Sequence, residues 1–336
     1  MKTTYERNIS IDTGRIIFAF LVVSLHTRFP ISLITPYIAD IGKVAVPFFY
    51  TVSGYYLYSN SSELIIGKTI MSSKKIAKVV LAAAILYGIL KYIEISHFHV
   101  DISDQSFRLI PFLLFNDVNF TGHFWYCFAY LYVLLIIIAL AKFDRVDYLL
   151  YLTPVLLAIH FTFTIWSRHV PIASGKFWYE LNWFVVALPY MTIGMVLRKN
   201  IHIVSEINKK GLLAIATILL LLIFPEHYAF KQIVGHGPGV FSIALLAISI
   251  AIYCVLNGIF FTKTADAKLA ELGRKHALNI YVYHVLVREC LTITGVGLWA
   301  NNTISIFFIS LILSTTLIGV KGKILNRFNN GELMPF

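Results

Sequence analysis

Charge is what this sequence has least of. Only 13% of its 336 residues are Asp, Glu, Lys or Arg, against about a quarter in soluble globular chains. So few ionic groups cannot solvate an ordinary protein surface, which excludes a cytosolic enzyme, a disordered chain and a charged coiled coil. Cysteine is scarce as well. Cys127, Cys254 and Cys290 all lie inside apolar stretches, so they read as small buried side chains and form neither a disulfide framework nor a metal set. Acidic residues are outnumbered, 17 Asp and Glu against 28 Lys and Arg, for a net charge of +11. That excess does not point to nucleic acid, because the basic residues fall in short clusters between apolar runs.

What the chain has is apolar length. Hydrophobic residues make up 58% of it, and its mean hydropathy is +0.76. Ten stretches, near 15–34, 42–59, 76–96, 122–141, 147–166, 181–198, 210–225, 239–260, 276–297 and 302–320, read as spans of a hydrocarbon core about 30 Å thick. The expected fold is an all-α, polytopic transmembrane bundle. A single membrane domain is expected over 1–336, with no appended soluble domain expected. Lys2 and Arg7 ahead of an apolar run from Ile16 give the outline of a signal peptide. No small-residue cleavage site follows, so this segment is expected to remain as the first span.

Ten spans put both termini on one side, and the basic residues say which. Lys2, Arg7 and Arg15; Lys68, Lys74, Lys75 and Lys78; Lys142 and Arg145; Arg198, Lys199, Lys209 and Lys210; Lys263, Lys268, Arg274 and Lys275; and Lys321, Lys323 and Arg327 would all face the cytoplasm. These are 20 of the 28 Lys and Arg residues, the bias that orients membrane proteins. His97–Gly122, Ser167–Tyr179 and Pro225–Pro238 become outer loops, polar, aromatic and histidine-bearing, long enough to rim a cavity.

Ionisable groups inside spans cost several kcal/mol and mark function by default. In the first span, Arg15 and His26 are eleven positions apart. Eleven residues turn an α-helix through about 1100°, roughly 20° past three full turns, over roughly 16 Å of rise. Both therefore share one face, with the cation at the inner mouth and the imidazole near mid-bilayer.

The same residues carry a resemblance. Asn8-Ile-Ser-Ile-Asp12, Arg15 and His26 resemble the opening of the acyltransferase 3 family of membrane acyl carriers. Val46-Pro-Phe-Phe-Tyr-Thr-Val-Ser53-Gly54-Tyr55 is similar to that family's second span, and Lys74-Lys75-Ile-Ala-Lys78 to the basic start of its third. Gly122-His123-Phe-Trp125-Tyr126, Asn182-Trp-Phe with Pro189 and Gly194, and Leu272-Gly273 through Ile280-Tyr281-Val-Tyr-His284 resemble later motifs, in order. Two departures stand out: Leu181 where the family often has Arg, and no hydrolase-like or racemase domain following.

The resemblance implies an integral O-acyltransferase of the bacterial inner (cytoplasmic) membrane. It would move acetyl from acetyl-CoA to a sugar hydroxyl of a surface polysaccharide, such as lipopolysaccharide O-antigen or its lipid-linked precursor. Histidine, with an unperturbed pKa near 6.5, suits activation of a hydroxyl. His26 is the first candidate base, with Arg15, His123 and His284 as further catalytic candidates. Arg15, Lys74, Lys75 and Lys78 would meet the donor's phosphates. Trp125, Tyr126, Ser53, Tyr55 and Asn182 would contact the acceptor, although Ser53-Gly54 also suits close helix packing. No cofactor is expected to stay bound, and no metal. The partners are acetyl-CoA, an envelope or lipid-linked glycan and the bilayer, with no nucleic acid.

A transporter or flippase of a small metabolite or lipid-linked sugar, proton-coupled through His26 and His284, is the alternative; a recruiting subunit of an envelope complex is a third reading. His97-x-His99 lacks further ligands, Gly235-His-Gly-Pro-Gly239 lacks the strand and Lys-Ser/Thr of a phosphate loop, and Asn119-Phe-Thr121 is a coincidental sequon. The orientation has a direct check. An impermeant thiol reagent added to intact cells is expected to label Asp104→Cys and spare Asn208→Cys; the opposite pattern reverses the topology.

Overall fold

The computed structural model describes residues 8–31, 35–98, 109–116, 122–169, 180–234 and 240–329. Among these the chain is helical and holds no strand; its one extended pairing is an isolated bridge between Arg28 and Asn302. In order come α1 (Ile9–His26), α2 (Thr35–Gly42), α3 (Ala45–Leu57), α4 (Ser62–Phe98), α5 (Leu109–Phe115), α6 (Trp125–Lys142), α7 (Val146–Tyr151) and α8 (Thr153–His169). Then follow α9 (Leu188–Lys199), α10 (Ile201–Ser205), α11 (Lys209–Val234), α12 (Phe241–Val255), α13 (Lys263–Ile293), α14 (Gly297–Ala300) and α15 (Thr303–Asn329). A 3-10 turn, Gly122–Phe124, leads into α6, and a π-helical turn, Trp183–Ala187, leads into α9.

This is a helical membrane protein. Five helical stretches among the described residues are long and apolar enough to cross a bilayer: Ile9–His26, Ser62–His97, Gly122–Lys142, Lys209–Ile233 and Thr303–Val320. Thr153–Trp166 and Phe241–Val255 are shorter apolar helices. Each of the ten expected spans lies largely on helix, but not all are one unbroken crossing. The 13 residues of α3 rise only about 20 Å. The stretch 147–166 is two helices meeting at Leu152, where Pro154 lies in the first turn of α8, a place that needs no N–H donor.

Other boundaries moved too. The first span was expected to run to 34, yet α1 stops at His26. Thr27 is extended (φ −140, ψ 171), and Arg28 pairs its N–H with the Asn301 carbonyl at 2.6 Å while accepting from the Thr303 N–H at 2.9 Å. His26 is thus a helix terminus and not mid-span. The loop expected at Pro225–Pro238 is helical as far as Val234, with Pro225 inside α11. The next residue, Glu226, caps α12: its carboxylate accepts from the N–H groups of Val240, Phe241 and Ser242 at 2.9, 2.8 and 2.8 Å. That satisfies three donors orphaned at a helix start and ties α11 to α12. The expected loop 167–179 begins as helix to His169, and α5 lies within the expected loop 97–122; residues 99–108, 117–121, 170–179 and 235–239 lie outside the described residues.

Two glycine contacts set the helix spacing. A Cβ on Gly54 of α3 would run into the backbone of Met191 on α9, and one on Gly194 into the carbonyl of Thr51. Likewise Gly273 of α13 abuts the Asp12 carbonyl of α1. Close backbone approach through small residues is how helices associate where lipid supplies no hydrophobic drive. Gly194→Val is therefore expected to destabilise the protein by about 3 kcal/mol, at the upper end of the usual cost of overpacking, since backbone meets backbone and neither yields. Gly67, with nothing within 4 Å of a built Cβ, is the control. A melting curve of the purified protein should fall sharply for Gly194→Val and stay level or rise for Gly67→Ala.

Candidate active site

Three histidines from distant parts of the chain converge. His26 ends α1, His123 sits in the 3-10 turn before α6, and His284 lies midway along α13. Ring centroids are 5.0 Å apart for His26 and His284, 5.6 Å for His123 and His284, and 6.5 Å for His26 and His123.

Their hydrogen bonds differ, and the differences assign roles. His284 Nδ1 lies 2.7 Å from the Tyr281 carbonyl and 3.2 Å from that of Ile280. Carbonyls only accept, so Nδ1 carries a proton and Nε2 is the open nitrogen; it is buried and has no hydrogen-bond partner among the described residues. His123 Nε2 is engaged, 3.1 Å from the Tyr87 hydroxyl and 3.2 Å from the Val282 carbonyl. Tyr87 is pinned in turn, its oxygen accepting the Leu286 N–H at 2.7 Å. His26 makes no side-chain hydrogen bond to a described residue, and its position is fixed through the backbone. Arg288 of α13 donates to the His26 carbonyl at 3.0 Å, a cation at the electronegative end of a helix.

Two cavities lie near this cluster, and His26 lines one of them. One, about 510 Å³, is lined by Arg15, Lys68, Lys75 and Arg274 together with Ser53, Tyr56, Tyr126 and Tyr281. No carboxylate lines it. The other, about 360 Å³, holds His26, Lys43, Trp125, His160, Glu180 and Tyr281 among mostly apolar neighbours. The first lies toward the start of α1 and the second at its end, so they are stacked along the bundle with Tyr281 common to both.

The expected residues distribute unevenly over this arrangement. Arg15 and His26 lie on one face, as the helix arithmetic requires, and open onto different cavities. Arg15 pairs with Asp12 at 2.7 Å and lies 5.4 Å over the Tyr56 ring. Lys75 lines the basic cavity, while Lys74 and Lys78 are exposed and line neither. Ser53 and Tyr126 face the basic cavity and Trp125 the apolar one. Tyr55 lines neither; its hydroxyl accepts from Arg198 at 3.0 Å across the α3–α9 contact. Asn182 is buried and caps the π-helical turn, accepting from the Phe184 and Val185 N–H groups at 2.9 Å each. Leu181, which departs from the resembled motif, lines the apolar cavity.

Sequence reasoning passed over Lys68, Arg274, Arg288, Tyr87 and His160. Arg288 and His160 had a visible signal, since both are ionisable groups inside expected spans, the criterion that singled out His26. His160 bonds the Val185 carbonyl at 3.0 Å and the Tyr190 hydroxyl at 3.0 Å. Tyr87 had none, because a tyrosine in an apolar run is unremarkable until its hydroxyl is placed; Tyr281 was quoted in a motif but given no role.

The structure is thus a helical membrane bundle in which a histidine cluster lies beside Tyr281, a residue that lines both a basic and an apolar cavity. The chain belongs to the acyltransferase 3 family, whose model, described as an acyltransferase domain, matches residues 8–321. Over 128 residues it is 30% identical to a protein named amino-acid racemase from Enterococcus faecalis, covering 36% of this chain and 18% of that protein. The match thus spans under a fifth of that relative's length. No solved structure matches the chain.

Proposed function

We propose that this protein is an O-acyltransferase of the bacterial inner membrane, passing acetyl from acetyl-CoA to a hydroxyl of an envelope glycan or its lipid-linked precursor. The observation that carries the reading is the stacking of a cation-lined cavity on an apolar one, with the histidine cluster beside Tyr281, the described residue that lines both. Phosphates of the donor suit Arg15, Lys75, Lys68 and Arg274, four cations with no carboxylate among the lining residues. The acceptor enters the other cavity, where Trp125 offers the flat face that sugars favour.

His26 is the base, since it is the one histidine of the cluster that lines a cavity and has neither nitrogen engaged. In the reaction, the acceptor hydroxyl gives its proton to His26 as its oxygen attacks the thioester carbonyl. A C–O bond forms, the C–S bond breaks, and the proton passes on to the departing thiolate, giving acetyl ester and free thiol. Radiolabelled acetyl-CoA with purified protein and candidate glycans tests this. Label in the glycan supports transfer; uptake of unlabelled solute into vesicles without label transfer would establish the transporter instead.

Arg15→Ala is expected to weaken acetyl-CoA binding about tenfold to a hundredfold, the loss of about 1.5–3 kcal/mol for one charge-assisted bond. Arg15→Lys should recover only part, because the planar fork is gone. Donor affinity left intact by Arg15→Ala, measured by calorimetry, would reduce Arg15 to a topology signal.

His26→Ala is expected to lower transfer by about 10²–10⁴-fold, the usual contribution of a general base, with expression and donor binding retained. In the wild type, transfer should rise with pH through the titration of His26, because only the neutral ring accepts a proton. His284→Ala is the companion variant. Equal losses at both positions indicate a shared proton path, and acetylation by His26→Ala at a matched protein level would remove His26 from the mechanism.

A further inference from the structure

Resting on that acyl-transfer reading, we propose that Tyr281 is the partition between the two cavities, and that displacement of its ring admits the donor's acyl group to His26. The need for such a step follows from the geometry. Arg15 and Lys75 line only the basic cavity, whereas His26 lines only the apolar one. A thioester held by the cations is therefore on the far side of the histidine that must serve it. One residue is common to both linings, and it is Tyr281.

The wall around Tyr281 is stiff on one side and tethered lightly on the other. Its ring lies 4.9 Å from Tyr126. Tyr126 is itself stacked on Tyr50 at 4.5 Å, and the Tyr50 hydroxyl donates to the Tyr126 carbonyl at 2.9 Å. Among the described residues the Tyr281 side chain makes one hydrogen bond, from its hydroxyl to the His123 carbonyl, and its other contacts are ring packing against Tyr126, His123 and His284. Breaking that bond frees the ring to rotate without moving the backbone. The Tyr281 carbonyl, which holds His284 Nδ1 at 2.7 Å, stays in place, so opening leaves the histidine cluster assembled. Closed, the ring keeps water of the acceptor side from the thioester. The geometry thus makes Tyr281 the residue that couples donor use to the presence of acceptor.

The test reads connectivity directly. In a chain freed of native cysteines (Cys127→Ala, Cys254→Ala, Cys290→Ser), one reporter is placed in each cavity, Ser53→Cys in the basic and Leu25→Cys in the apolar one. With Tyr281 intact, an impermeant methanethiosulfonate added to intact cells reaches one reporter and spares the other, whichever way the protein is inserted. With Tyr281→Ala it reaches both, the spared reporter gaining at least tenfold in labelling rate. Tyr281→Phe, which keeps the ring and loses the tether, falls between. Should Tyr281→Ala fail to fold, judged by elution and melting, Tyr281→Leu takes its place.

A spared reporter that stays spared in the folded alanine or leucine variant overturns the proposal, and so does labelling of both reporters with Tyr281 intact. Labelling does not depend on catalysis. A wild-type protein that acetylates nothing, with the labelling pattern as expected, overturns the acyl-transfer reading and leaves the partition standing. In an active preparation, Tyr281→Ala is expected to release CoA from acetyl-CoA without acceptor at least tenfold faster than wild type; release at the wild-type rate would overturn the coupling role.

Discussion

The close contact between α1 and α13 is the constraint on which the site depends. The two helices run parallel, with Gly273 against the Asp12 carbonyl and the Thr13 hydroxyl donating to the Asp266 carbonyl at 2.9 Å. From that base, Asp12 to His26 rises roughly 21 Å and Gly273 to Arg288 roughly 22 Å at 1.5 Å per residue. Equal rises bring the Arg288 guanidinium level with the His26 carbonyl it binds. Half a turn of slippage would break that bond and part His26 from His284. A side chain at 273 would force the helices apart, so one glycine sets the distance at which two histidines on separate helices can share a proton.

Around this pair the charge is sorted. Arg15, Lys68, Lys75 and Arg274 gather at one cavity, and like charges at close quarters repel most where water screens them least. Two of the four have relief: Arg15 has Asp12 and the Tyr56 ring, and Lys68 donates to the Tyr58 carbonyl at 3.0 Å. An arrangement of that kind favours an anion with several charges over any single carboxylate. The apolar cavity presents the opposite character, where Leu181 stands in a wall that the resembled motif often furnishes with Arg. An acceptor meeting that wall finds an apolar side chain at 181, the cavity's described charged groups being Lys43 and Glu180.

The bundle was legible in the sequence because length and hydropathy are local properties. Helix ends were legible only where their cause was local. Pro154 announces the break before α8, whereas the end of α1 at His26 depends on a pairing with Asn301 and Thr303, far away in sequence. Pro225 misled in the other direction: it reads as a stop, yet α11 runs through it and Glu226 reaches across to α12. For the site, the register of Arg15 and His26 followed from helix geometry alone. Which other histidines join them did not, and came only from motifs resembling those of a family. Motifs also mix chemistry with scaffolding. Asn182 caps a turn and Tyr55 binds Arg198, while Tyr126, quoted in the same way, lines a cavity.

Hydrogen bonding within the cluster then sets the order in which a proton can move. His284 is held by carbonyls on Nδ1, so only Nε2 can receive. His123 has its Nε2 against the Val282 carbonyl and the Tyr87 hydroxyl, so that nitrogen carries the ring proton and is not the one open to receive another. His26, free at both nitrogens and 5.0 Å from His284 between ring centres, can take a proton from the cavity on one side. The open Nε2 of His284, on the ring closer to His26, is then an acceptor that no described residue already bonds. A buried acceptor with no partner costs about 1–3 kcal/mol, and a fold that retains one beside a cavity-facing histidine is spending stability on the site. In the proposed reaction that nitrogen steadies the proton between its departure from the hydroxyl and its delivery to sulfur. Tyr281 ties these elements together: its carbonyl fixes the His284 tautomer while its ring lines both cavities, the place of the proposed partition.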